Sequence, residues 1–312
     1  MLVFALANAA HAELNAPAWI RFCGQLIVGM ALGLYFTAPV VERLVSLSGW
    51  ILLSTALSLG AGLVAAYGLM RIARLDATTA FFAGTVGGAV EMANQAERHG
   101  ARVDQVAASQ VTRVLAVVLL LPVVFQLAAL HGDDTYHAVA APFRLPALSM
   151  LLFASIALGL IAWRGGVPNA WLFAPLALSA GLSATGHPAS AVPVWLVDLG
   201  QWLIGCSLGT RFAPKSFEGA PRLLWGVLAS ASALVILCAA IGVLIGLLAG
   251  IPWPTLVLAT APGGIAEMGL TAKLLGLGVP VVTAFHIVRL TVVVVSAGPL
   301  FRMLKSLEKR RT

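Results

Sequence analysis

Two stretches of the chain, GTVGGAVEMANQAERHG over residues 84–100 and TAPGGIAEMGLTAKLLG over residues 260–276, are one stretch repeated at an offset of 176 positions. Gly87, Gly88, Glu91, Met92, Ala96 and Gly100 meet Gly263, Gly264, Glu267, Met268, Ala272 and Gly276. The offset persists outward. Pro17 and Trp19 meet Pro193 and Trp195, Gly24-Gln25 meets Gly200-Gln201, and Gly29, Gly33 and Phe36 meet Gly205, Gly209 and Phe212. Downstream, Arg113 meets Arg289 and Phe125 meets Phe301. A gapless duplication of this length restricts the fold to two related units. Residues 1–129 form the first repeat, 130–144 a polar linker and 145–312 the second. Nothing in the first repeat matches residues 145–176, so its amino end is expected to be truncated or to start too late. MLVFALANAAHAEL resembles a signal peptide but lacks a basic start. It reads better as the tail of a helix matching LALSAGLSATGH, with His11 meeting His187.

Composition decides the medium. Hydrophobic residues make up 60% of the chain and charged ones 10%, at a mean hydropathy of +0.97. Soluble domains carry about 25% charged residues, so the fold class is an all-α polytopic membrane protein. The net charge of +7 fits cytoplasmic loops rich in Lys and Arg. No basic helix or aromatic-interleaved patch points to nucleic acid. Cys23, Cys206 and Cys238 form no CxxC pair and read as small buried hydrophobes.

Spanning segments of about 20 residues lie near 17–39, 47–70, 104–129, 145–163, 167–186, 194–213, 223–249 and 279–303. Two more, 76–97 and 252–274, carry the Gly-Gly motif with its breakers Gly87, Gly88, Pro262, Gly263 and Gly264. If both cross once, Lys and Arg divide almost evenly between the two sides. If neither makes a net crossing, fourteen share the side of the KSLEKRR tail, leaving only Arg43, Arg144 and Lys273 opposite. The positive-inside rule favours the second arrangement, with a cytoplasmic carboxy terminus. Each full unit then has five crossings and one re-entrant or broken segment, and the odd number makes the repeats inverted. Inverted repeats with interrupted helices are a secondary-transporter architecture. The competing reading is two plain helices with Gly-Gly packing faces.

Glu91 and Glu267 fall in the first turn after each glycine pair, where a helix N-terminus favours a carboxylate. Arg113 and Arg289, deep in their helices, are their expected partners. Ionisable groups at such depth are costly and mark ion or substrate pathways, although a structural ion pair anchoring each broken segment explains them equally. The two copies differ: Asn94 becomes Leu270 and Gln110 becomes His286. His286, three residues before Arg289 on the same face, is a proton relay or, more ordinarily, a hydrogen-bonded core histidine. Gln25 and Gln201 top stripes of small residues, which suit helix packing first and a cavity lining second. His131, Asp133, Asp134 and His137 in the linker are of metal-ligating type, but a polar linker collects such residues freely, and no metal or other cofactor is expected. No G-x-S-x-G, HExxH, Walker A or GxGxxG motif occurs in a suitable setting. The chain is expected not to be an enzyme.

The doubled Gly-Gln…Gly…Gly and Gly-Gly…Glu-Met…Arg patterns resemble the AbrB family of bacterial inner-membrane proteins, which is distinct from the soluble DNA-binding regulators of the same name. The resemblance runs from Ala16 to about Met303. It implies a duplicated hydrophobic unit in the inner (plasma) membrane, a link to regulation of gene expression and kinship with antiporter and anion-transporter folds. Some members carry an ammonia monooxygenase label, but six dispersed histidines supply no clustered metal set inside the membrane. The expected role is transporter-like movement of a small solute or ion, proton-coupled through Glu and His groups, with membrane-embedded regulation as the alternative. Expected partners are the lipid bilayer, that solute and a second copy of the chain in a homodimer.

Overall fold

The computed structural model describes residues 16–130, 132, 142–210 and 221–309. The linker cluster at His131, Asp133, Asp134 and His137 lies outside them, as does the amino-terminal segment read as a helix tail. The described residues form thirteen helices and no strand, the secondary structure that satisfies every backbone group within its own segment in lipid.

The first repeat supplies α1 (Ala18–Gly33), α2 (Ala38–Ser46), α3 (Ser48–Ile72), α4 (Ala77–Gly84), α5 (Ala89–Arg98) and α6 (Val103–Leu127). The second supplies α7 (Leu145–Arg164), α8 (Ala170–Ala184), α9 (Val194–Thr210), α10 (Pro221–Ala249), α11 (Trp253–Thr260), α12 (Ile265–Leu274) and α13 (Val279–Lys309). The short helices α4 and α5 have the bounds of α11 and α12 shifted by the repeat offset. α3, α6, α7, α10 and α13 are long and apolar enough to cross a membrane. Many of their large side chains, among them Leu52, Phe153, Ile161, Trp225 and Leu247, are exposed. This is an integral membrane protein.

One expected span is corrected. The apolar run near 17–39 is a bent pair, because α1 stops at Gly33 and α2 leaves at 92° after a turn. Pro39 in the first turn of α2 lacks the N–H that a continuing helix would need, so the chain restarts there.

The chain divides into two compact units, each drawing on both repeats. One comprises Met1–Ser48, His131–Arg211 and Ile265–Thr283; the other comprises Gly49–Leu130, Phe212–Gly264 and Ala284–Thr312. The repeat boundary and the unit boundaries therefore differ.

In the first unit, α1 packs against α8 and α9 through the glycine stripe. A Cβ on Gly24 would lie 2.7 Å from the Gly200 carbonyl oxygen, and one on Gly200 would lie 3.3 Å from that of Gly24. These glycines are repeat equivalents that touch each other, the mark of a local two-fold relation between α1 and α9. Gly29 and Gly33 turn to α8, where a Cβ would come within 2.6 Å of the Leu172 oxygen and 2.5 Å of Ser179 Cβ. Ser179 Oγ donates to the Met30 carbonyl at 2.8 Å across that contact.

In the second unit, α4 packs on α3 and α11 on α10, again through small residues. A Cβ on Gly84 would sit 2.5 Å from the Ala66 nitrogen, and one on Gly242 would sit 2.7 Å from Leu256 O and from Thr260 Oγ1. Ala66 is the equivalent of Gly242, and Gly84 of Thr260. The same crossing is made twice, with the glycine on opposite partners. Beneath it lies a core of Leu69, Phe81, Phe82, Met92, Val106, Val293 and Phe301.

Candidate functional site

Both Gly-Gly segments are interrupted. α4 ends at Gly84 and α5 begins at Ala89; α11 ends at Thr260 and α12 begins at Ile265. The residue ending each first half is extended, Thr85 at φ −63°, ψ 135° and Ala261 at φ −52°, ψ 140°. Pro262 enforces this for Ala261, since a proline pushes the preceding residue out of the helical region. Val86 stands at the equivalent place in the first copy, yet the break is the same. Proline is therefore not what both breaks share.

What they share is a clamp. A helix C-terminus leaves its last carbonyls without intrahelical donors. Arg113 donates through Nη1 to Thr85 O at 3.1 Å and through Nη2 to Gly87 O at 3.3 Å. Arg289 donates through Nη1 to Thr260 O at 2.9 Å and Ala261 O at 2.8 Å, and through Nη2 to Gly263 O at 3.4 Å. Each guanidinium also binds its neighbour one turn earlier. Nη2 of Arg113 donates to Gln110 Oε1 at 2.7 Å, and Nη2 of Arg289 to His286 Nδ1 at 2.8 Å. Those neighbours hold the same half-helices: Gln110 Nε2 donates to Phe82 O, Ala83 O and Thr85 O, and His286 Nε2 bonds Leu258 O at 3.1 Å. All four side chains are buried. The positive charges face the negative ends of the α4 and α11 dipoles.

Arg113 and Arg289, for which carboxylate partners were expected, place these hydrogen bonds on backbone carbonyls. A planar fork of five donors matches the fan of carbonyls at a helix end. Glu91 is the third residue of α5, and its Oε2 lies where a side chain on Gly88 would be. Glu267 is half-buried in the first turn of α12, and the charge acting on it within its own unit is Arg21 of α1.

The remaining candidates are dispersed. Gln25 Nε2 donates to Asn169 Oδ1 at 3.3 Å; Gln201 is half-buried and Asn94 exposed. The site thus gathers Gln110, Arg113, His286 and Arg289 in one unit, with Gly87 and Gly263 supplying acceptors. Arg21 and Asn169 were not singled out from the sequence. Asn169, at the N-cap of α8 with φ 50°, had a readable signal, because asparagine favours both caps and the left-handed region. Among the described residues, no group of three or more His, Cys, Asp or Glu stands ready for a metal.

Interrupted helices among long apolar spans, each break closed by a buried arginine, define a polytopic helical membrane protein with discontinuous helices. The chain belongs to the AbrB family: the family model described as "Transition state regulatory protein AbrB" matches residues 1–305. It is 29% identical over 311 residues to the "Uncharacterized protein YhjN" of Bacillus subtilis (strain 168), covering 93% of this chain and 79% of that protein. It is 23% identical over 303 residues to the "Putative regulator AbrB" of Escherichia coli (strain K12), covering 96% of this chain and 86% of that one. Similarity along the whole chain places it with the membrane AbrB proteins and not with the small DNA-binding AbrB. No solved structure matches it.

Proposed function

We propose that the protein is a transporter-like component of the bacterial inner membrane that moves a small solute or ion through the region of its two broken helices. The observation supporting this is the doubled clamp. Two helices are interrupted among long apolar spans, and interrupted backbone at membrane depth persists where protein buries it or it lines an aqueous path. Transporters place their sites at such half-helix ends. The repeats are inverted, the carboxy terminus is cytoplasmic, and the chain works without catalysis and without binding nucleic acid directly, as a homodimer. Glu91, Glu267 and the polar side chains Asn94, Gln25 and Gln201 contribute to the pathway.

A second reading, a membrane-embedded regulator acting indirectly on gene expression, is favoured by the names of the family and of the Escherichia coli relative. The deciding experiment is reconstitution into proteoliposomes with a panel of radiolabelled ions and small organic acids and amines. Saturable uptake abolished by Arg289→Met in a folded variant supports transport. No flux for any solute, together with specific capture of a regulatory partner, supports the second reading.

A further inference from the structure

A cavity of about 200 Å³ lies in the second unit between α3, α4 and α13. Leu63, Tyr67 and Met70 of α3, Phe81 of α4, and Phe301 and Lys305 of α13 line it. Tyr67 is 56% exposed and Met70 39%, so the cavity opens outward from a helix long and apolar enough to cross the membrane. Its floor is aromatic, with the Phe81 and Phe301 ring centroids 5.4 Å apart. Such a floor offers water few of the about two to four polar partners that would hold it. Close packing leaves few voids larger than a water molecule, so a groove of this size in a bilayer takes up hydrocarbon. The volume is below the roughly 300–1,000 Å³ of sites that enclose a drug-sized solute. Its occupant therefore continues beyond the groove, as an acyl chain does.

Two cations stand at one end of the groove. Arg71 is one residue from the end of the apolar span Ser48–Ile72, and Lys305 is one residue from the end of Val279–Ser306. The ends of such spans meet the polar headgroup region, whereas Leu63, eight residues before Arg71, lies about 12 Å deeper at 1.5 Å rise per residue. Both cations are held against rings of the cavity. The Arg71 guanidinium carbon lies 5.1 Å from the Tyr67 ring centroid, and its Nε donates to the Tyr67 hydroxyl at 3.0 Å. Lys305 Nζ lies 5.7 Å from the Phe301 ring centroid. The Arg71–Tyr67 bond uses Nε and leaves the two terminal nitrogens, a fork suited to phosphate oxygens. Asp76, beside the lining residue Ala77, is spent on the Thr79 N–H at 2.9 Å.

The repeat supplies a control. Arg71, Tyr67 and Lys305 have Leu247, Val243 and Ala129 as equivalents, so neither cation is repeated. Ala77 has Trp253 as its equivalent, and Met70 has Gly246. The Cα and Cβ of Trp253 come within 2.9 and 3.2 Å of where a Cβ on Gly246 would be. One copy closes this place with a tryptophan, and the other keeps a groove with two cations beside it. Single Lys and Arg side chains at span ends merely snorkel to the interface; a pair from two helices around a shared apolar groove is a site. We infer that this groove binds one anionic glycerophospholipid, with an acyl chain along Leu63, Phe81 and Phe301 and the headgroup phosphate held by the Arg71 fork and the Lys305 ammonium. The inference needs the membrane setting alone and is independent of the transport reading.

The test uses the full-length protein, purified in a neutral detergent and stripped of lipid. Thermal unfolding is followed while dioleoyl phosphatidylglycerol, dioleoyl phosphatidylcholine or inorganic phosphate is added. Phosphatidylglycerol should raise the midpoint saturably by a few degrees, as ligand linkage requires. Phosphatidylcholine, with the same chains and no net charge, should bind at least tenfold more weakly, and inorganic phosphate should have no effect. Arg71→Leu/Lys305→Ala, which installs the residues of the equivalent positions at two exposed sites, should fold and bind both lipids equally. Should it not fold, Arg71→Gln/Lys305→Gln keeps polar side chains there and should weaken phosphatidylglycerol at least tenfold. Equal affinity of the unaltered protein for the two lipids would mean that no headgroup is recognised and would overturn the inference. So would stabilisation by inorganic phosphate, which would make the ligand a free anion. An undiminished preference for phosphatidylglycerol in the folded double variant would place the site elsewhere and overturn it equally.

Discussion

Arg289 donates through Nη2 to His286 Nδ1 at 2.8 Å, and this one bond fixes the tautomer of the imidazole. Arginine has no acceptor, so Nδ1 carries no proton; Nε2 must then be the N–H that meets Leu258 O at 3.1 Å. Both ring nitrogens are committed, which is the arrangement of a core histidine and leaves no nitrogen for a proton relay. ¹⁵N chemical shifts of selectively labelled protein should report the Nε2–H tautomer. His286→Gln, which copies Gln110, should retain stability within about 1 kcal/mol, whereas His286→Leu should lose about 1–3 kcal/mol by stranding the Arg289 donor and the Leu258 carbonyl.

Arg289 itself makes four hydrogen bonds through its two terminal nitrogens. Hydrogen bonds involving a charged group contribute about 1.5–3 kcal/mol each and are not additive. Arg289→Met should therefore cost more than about 3 kcal/mol in thermal unfolding in detergent. Arg289→Lys should fall between, because an ammonium reaches one or two carbonyls but cannot fork across the break. Equal stability of Arg289→Lys and wild type would show that the charge alone matters.

These two clamps show where sequence reasoning reached and where it stopped. Glycine pairs, a proline and doubled Glu and Arg positions were enough to locate both breaks and the four buried side chains, since each carries a local chemical signal. The partners were not legible. A carboxylate is visible as a letter, but the carbonyl fan at a helix end becomes an acceptor set only once the helix has stopped. Likewise, the apolar run near 17–39 gave no sign of its 92° bend, because Gly33 also suits a packing stripe. The unit boundaries, which interleave the repeats, depend on packing between distant helices that no local pattern records.

Asp76 caps α4, accepting from the Thr79 N–H at 2.9 Å. Partial burial raises its pKa, but the Thr79 hydrogen bonds and the Arg102 charge outweigh that and hold it below the usual aspartate value. A depressed folded-state pKa gives a contribution fully present above the unfolded value near 3.9 and lost as pH falls through the lower folded one. Asp76→Ala should cost about 0.5–2 kcal/mol at pH 7. The difference from wild type should shrink only below about pH 4, measured by unfolding midpoints across pH 3–7.

The inverted arrangement is checked by accessibility. Glu97 and Lys273 are repeat equivalents, both exposed near the ends of α5 and α12. Glu97→Cys and Lys273→Cys, introduced singly, should react with a membrane-impermeant maleimide from opposite faces of oriented vesicles, Glu97→Cys from the cytoplasmic face. Labelling of both from one face would make the repeats parallel and remove the basis for the transporter comparison.

The mirrored glycines give the most direct test of the duplicated packing. In the first copy Gly84 on the short helix faces Ala66 on the long one; in the second Gly242 on the long helix faces Thr260 on the short one. A Cβ at residue 242 would meet Leu256 O, Thr260 Oγ1 and Val257 Cα, each at 2.7 Å. Two of these atoms are backbone and cannot swing aside. Overpacking a close-packed contact costs about 1–3 kcal/mol, so Gly242→Ala should lower the unfolding midpoint by several degrees. Adding Thr260→Gly restores the Ala–Gly pairing of the first copy and relieves the clash at the hydroxyl. It also removes the Thr260 hydroxyl bond to Cys238 O at 2.7 Å, so rescue should be partial. The double-mutant cycle should then show a favourable coupling of about 0.5–3 kcal/mol between residues 242 and 260. Strict additivity would mean that the two crossings, though equivalent in sequence, are not held by the same contact.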